Sequence, residues 1–149
     1  MSLMKRLGLG ALLAVCVTLF ASTSAWAASG EDWGTIELAN MGDEPFASGV
    51  ASLTNVDWVR VAKDAFLYGG RLSVTCHNLT PGATYWTPAG TFIANRKGSG
   101  KVSGDVWLEL NYGWSWVSVS PFVVDIVRSN PDGSGTPVLT GTFPGQFWY

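Results

Sequence analysis

The chain has 149 residues, with 18 glycines, 8 tryptophans, and 9 Lys and Arg against 11 Asp and Glu. After residue 27 the balance is seven basic against eleven acidic side chains, which speaks against nucleic acid or an anionic lipid surface as partner, since both need a dense basic face. The length suits one domain with a single core.

The first element is a targeting segment. Lys5 and Arg6 open it, Leu7 to Phe20 is nearly all apolar, and Ala21 to Ala27 is small and polar apart from Trp26. This is the layout of a secretory signal peptide with an A-x-A cleavage site at Ala25-Trp26-Ala27. The apolar run is shorter than the ~20 residues that span a bilayer, so no membrane insertion is expected. The organisation read from it is a signal peptide over 1–27 and one domain over 28–149. Cys16 leaves with the signal; Val15 before it and the apolar residues after it speak against lipidation. Cys76 is then the only mature cysteine, so no internal disulfide forms. Together these features point to a secreted, periplasmic or surface-exposed bacterial protein.

No helical period follows. Short runs of period two predict strands near Thr35–Ala39, Ser48–Leu53, Asp57–Lys63, Arg71–His77, Thr91–Asn95, Lys101–Leu110, Ser115–Val119, Phe122–Arg128 and Val138–Phe143. Between them lie turn formers: Asn40 to Pro45, Thr80-Pro81-Gly82, Arg96 to Gly100, Asn111-Tyr112-Gly113 and Asn130 to Gly135. Many short strands with such corners predict an all-β fold, a single antiparallel β-sandwich. In Arg71–His77, alternation puts Leu72, Val74 and Cys76 on one face and predicts a buried, unreactive thiol. In Lys101–Leu110 it puts Val102, Gly104, Val106, Leu108 and Leu110 on one face and Trp107 on the polar one.

The phrase Leu72-Ser-Val-Thr-Cys-His-Asn-Leu-Thr-Pro-Gly-Ala-Thr-Tyr85, followed by Gly90 to Gly100, resembles the strand–turn–strand wording of small secreted β-sandwich domains of the fibronectin type III-like or CHRD-like kind. The resemblance spans about a third of the mature chain. It implies an immunoglobulin-like sandwich without the usual cysteine pair. It implies adhesion, scaffolding or ligand binding rather than one activity.

Chemistry-bearing clusters are sparse. Cys76 and His77 are adjacent in a strand and point to opposite faces, so they neither chelate one metal nor form a nucleophile pair. Asp43-Glu44 and Asp132-Gly-Ser-Gly135 fall short of the six to eight oxygens that calcium takes. Asn78-Leu79-Thr80 fits a glycosylation sequon but precedes Pro81 and reads as a turn. No catalytic residue, metal or cofactor is expected. The aromatic residues are the functional lead. Trp107, Tyr112, Trp114 and Trp116 are expected to form a stripe on one side of a hairpin turning at Asn111–Gly113. Such a stripe stacks on a glycan or grips a protein partner. The expected role is thus a non-enzymatic binding or structural module. The alternatives are a self-assembling surface or filament subunit and a small outer-membrane β-barrel, the latter suggested by the aromatic C-terminus Phe147-Trp148-Tyr149.

Overall fold

Alternating apolar and polar residues become strands throughout. The computed structural model describes residues 30–148, and among them eleven strands and no helix form. The expected signal peptide over 1–27, its cleavage site and Cys16 lie outside these residues. The strands are β1 (Gly34–Asn40), β2 (Ser48–Ala62), β3 (Ala65–His77), β4 (Thr84–Thr87), β5 (Gly90–Ile93), β6 (Gly100–Trp107), β7 (Leu110–Tyr112), β8 (Val117–Val119), β9 (Phe122–Ser129), β10 (Gly135–Phe143) and β11 (Gln146–Trp148).

Several boundaries differ from expectation; β3 and β10 begin earlier, at Ala65 and Gly135. The runs Ser48–Leu53 and Asp57–Lys63 are one strand, β2, whose register against β3 slips between Thr54 and Asp57. Asn55 absorbs the slip at φ 54, a left-handed conformation that asparagine tolerates better than most residues. Residues 101–110 break after Trp107, which ends β6, and resume as β7 in another sheet. The period of two misses β4 and β11, while the resemblance has a strand opening at Tyr85, where β4 lies.

Eight strands form one antiparallel sheet in the order β5-β4-β9-β10-β1-β2-β3-β6. Its two halves, β1-β2-β3-β6 and β5-β4-β9-β10, join where Leu139 lies opposite Asn40 and Thr140 opposite Ala39, with the Met41 N–H donating to the Val138 carbonyl beside them. On the far side β5 and β6 come together without ladder pairing, so the sheet is nearly a barrel. Glycine allows that approach. A Cβ on Gly100 would strike the Phe92 ring, and one on Gly104 would strike the Ala89 carbonyl. The expected antiparallel all-β class is therefore present, in a more closed form than two separate sheets. A second sheet, β11-β8-β7, holds the hairpin after β6 together with the strand that follows β10.

The interior is apolar. Leu53, Leu72, Val74 and Val106 from one half meet Tyr85, Phe92, Val124, Ile126, Val138, Leu139 and Phe143 from the other. The Leu72, Val74 and Cys76 face is fully buried, as the alternation requires. Burial pushes the Cys76 thiol up to about 12, far from its ordinary value. The thiolate that reacts is thus scarce and shielded at neutral pH. Native protein should label with a water-soluble thiol reagent only as fast as it unfolds. Prompt labelling without denaturant would contradict this placement.

Candidate functional site

The three-stranded sheet and its hairpin display three of the four expected aromatic residues. The hairpin between β7 and β8 turns two residues later than expected. Gly113 donates its backbone N–H to the Trp116 carbonyl at 2.9 Å, which leaves Trp114 and Ser115 as the two-residue tip. Neither tip residue takes the positive φ of the favoured I′ and II′ closures. Trp114 at the tip lies off both strands, and its side chain is fully exposed.

Trp116 immediately precedes β8 and points to the face opposite Val117. Its indole stacks on Phe147 of β11, with centroids 5.3 Å apart and planes 22° from parallel. Gly113 lies under the same indole, where a Cβ would collide with it. Tyr112 stands in register with Val117, which in turn pairs with Trp148. By alternation Tyr112 and Trp148 occupy the other face from Trp116. Trp107 belongs to the eight-stranded sheet, where it pairs with Gly69. The structure thus brings Trp114, Trp116 and Phe147 to one end of the small sheet. It sets Tyr112 on that sheet's opposite face and Trp107 on a separate sheet.

All four expected residues are exposed to some degree: Trp107 by 48%, Tyr112 by 65%, Trp116 by 36% and Trp114 fully. Phe147 was not assigned to the surface from sequence. Its partnership with Trp116 depends on β11 folding back beside β8, and a three-residue strand gives no periodic signal of that.

Trp107 has its own setting. Gly69 has no side chain, so the indole lies across β3 at the end of β6. Beside it is an open cavity of about 170 Å³ lined by Asn55, Val59, Gly69, Gly70, Arg71, Asp105 and Trp107. Asn55, Arg71 and Asp105 were not singled out by the sequence. The bulge that turns Asn55 leaves only a break in the period-two pattern, and the Arg71–Asp105 pairing depends on strands separated by the β4–β5 hairpin.

Several ionisable groups with displaced pKa values are engaged with one another. Glu44, in the loop between β1 and β2, is 8% exposed. It accepts hydrogen bonds from the Tyr85 hydroxyl at 2.8 Å, from Arg128 Nη1 at 2.8 Å and from the Thr80 backbone N–H at 2.8 Å. Asp43 accepts a second bond from Arg128 at 2.6 Å. Burial pushes the Glu44 carboxyl up, but the hydrogen bonds from Arg128, Tyr85 and Thr80 together hold it below its ordinary value. Burial and the Glu44 contact raise Tyr85. Asp43 and Glu44 are thus an anchor for the Thr80 turn. His77 is exposed and within 3.2 Å of the Ser99 hydroxyl. Asp132 accepts from the backbone and hydroxyl of Ser134, closing its own turn. Asn78 adopts φ 59 at the end of β3, consistent with a turn. Among the described residues no group of three or more His, Cys, Asp or Glu gathers where a metal ion would be held. No helix among them is long and apolar enough to cross a membrane.

Comparison of the chain with family models, with curated proteins and with solved structures finds no match.

Proposed function

We propose that this is an exported, non-enzymatic binding module that holds a glycan through exposed aromatic side chains. One observation carries the proposal: Trp114 is fully exposed at a hairpin tip beside the Trp116–Phe147 stack. An indole left in water forfeits roughly 2–3 kcal/mol of burial free energy, so such a tip adds nothing to folding. It is a surface of the kind that partners bury. Flat rings suit the C–H faces of sugars, which stack without needing charge. The signal-like first 27 residues support a location outside the cytoplasm. The engagement of Glu44, Tyr85 and Arg128 with one another supports a non-catalytic role, since those groups are occupied in holding loops to the sheet.

In this reading the two four-stranded halves are the leaves of a sandwich of the immunoglobulin or fibronectin type III-like kind, pinched where β5 meets β6. The two-residue seam between β1 and β10 supports it. The outer face supports water rather than lipid around the strands. By alternation Arg71, Ser73 and Thr75 of β3 and Lys101, Ser103 and Asp105 of β6 turn outward, while the interior is apolar. A membrane barrel has the reverse arrangement. The test is binding to soluble bacterial and plant polysaccharides in affinity electrophoresis. Retardation of the wild type that weakens in Trp114→Ala supports the module, and no retardation by any of them contradicts it.

A second reading, self-association, has its own observation. Past Asp57 the β2–β3 hairpin extends as a two-stranded arm, with Trp58, Val59, Val61, Phe66 and Leu67 exposed. Among the described residues no third strand covers either edge of its tip. Two-stranded ribbons are marginal alone and prone to add strands. Sedimentation at rising concentration separates the readings, because only the second requires a reversible oligomer.

A further inference from the structure

We propose that the cavity beside Trp107 is a subsite for one neutral pyranose ring. The proposal rests on the glycan reading above and places a specific ring at a specific wall. The floor is set by Gly69: without a side chain there, the Trp107 indole lies across β3 and presents an aromatic surface to a cavity of about 170 Å³. That volume suits a single ring rather than a run of residues.

The polar groups around it match a sugar's hydroxyls. Arg71 and Asp105 are cross-strand partners, with Arg71 Nη1 donating to Asp105 Oδ1 at 3.4 Å. This is a long contact between two exposed side chains, with 52% and 73% of each in solvent. Both retain capacity for a ligand. The guanidinium supplies further donors and the carboxylate further acceptors, side by side. Adjacent hydroxyls on a pyranose each donate and accept, so they pair with such a couple without leaving a group unmatched. Asn55 adds an amide with both functions. It sits at a β-bulge, at φ 54, where the strand departs from regular register and re-aims a side chain.

The charges choose among ligands. Arg71 and Asp105 offset one another, so the site has no net attraction for an anion or a cation. A purely apolar ligand would cover these polar groups without pairing them, which is unfavourable. A neutral ring with one C–H face for the indole and hydroxyls on its edge satisfies both halves of the cavity.

The test uses the folded domain and three probes: the methyl pyranosides of glucose, galactose and mannose. Binding is read by saturation-transfer NMR and by tryptophan fluorescence. At least one pyranoside should bind the wild type. Trp107→Ala should weaken it at least tenfold, and Asp105→Asn, which keeps the shape, at least fivefold. Trp114→Ala should weaken binding of a polysaccharide. If no pyranoside binds, or if neither cavity variant weakens it, the subsite is overturned. Polysaccharide binding lost in Trp114→Ala but intact in Trp107→Ala overturns the subsite alone and leaves the glycan reading standing. Failure of every pyranoside and every polysaccharide overturns both.

Discussion

Replacing Glu44 with alanine should destabilise the domain by about 3 kcal/mol, the scale of leaving several hydrogen-bonding groups without their charged acceptor. The Tyr85 hydroxyl is fully buried and would lose both carboxylate oxygens. The Thr80 N–H keeps only its bond to that hydroxyl, at 2.9 Å. Arg128 keeps Asp43, which limits the loss. Glu44→Gln should cost less, because an amide oxygen still accepts. The pH dependence follows from the same contacts. The folded carboxyl is held below its ordinary 4.5. As pH falls, the unfolded chain therefore takes up this proton first. The stabilisation is complete above that ordinary value and is lost as pH drops through the folded one. Urea melts of wild type and Glu44→Gln should differ most at neutral pH and converge in acid. A constant difference across the acid range would contradict the assignment.

Gly104→Val should be comparably damaging, at about 3 kcal/mol, the upper range for overpacking. A Cβ at this position meets the Ala89 carbonyl, which is backbone and cannot rotate away. The valine would push β6 from the β4–β5 hairpin and open the side of the barrel that has no ladder to hold it. Gly133→Ala serves as the control for position rather than residue type. Its Cβ meets nothing within 4 Å, and its cost should be only the strain of φ 88. Thermal melts compare the two. Equal losses would mean that closure between β5 and β6 contributes little.

Much of the fold was legible because a period of two is a strong signal when a strand is long. β1, β3, β9 and β10 were located, and Leu72, Val74 and Cys76 were placed on the buried face. What the pattern hid was pairing. Nothing in residues 110–119 shows that Tyr112 opposes Val117, and that register puts Tyr112 and Trp116 on opposite faces. A turn expected at Asn111–Gly113 forms at Gly113–Trp116, because residues 110–112 pair with β8 before the chain reverses. The aromatic stripe is consequently distributed over two sheets. The Glu44–Tyr85–Arg128 cluster was equally hidden. Its members are separated by 41 and 84 positions, and only the fold brings them together.

Whether the exposed aromatics bind rather than fold is decided on Trp114→Ala. Its melting free energy and its affinity for a polysaccharide that the wild type retains should be determined on the same preparation. Stability should change by less than about 0.5 kcal/mol, as at an open surface position. Affinity should fall by more than about 1 kcal/mol, as at an interface hot spot. A loss of roughly 3 kcal/mol or more in stability, the mark of a core aromatic, or an affinity equal to wild type, would contradict the account.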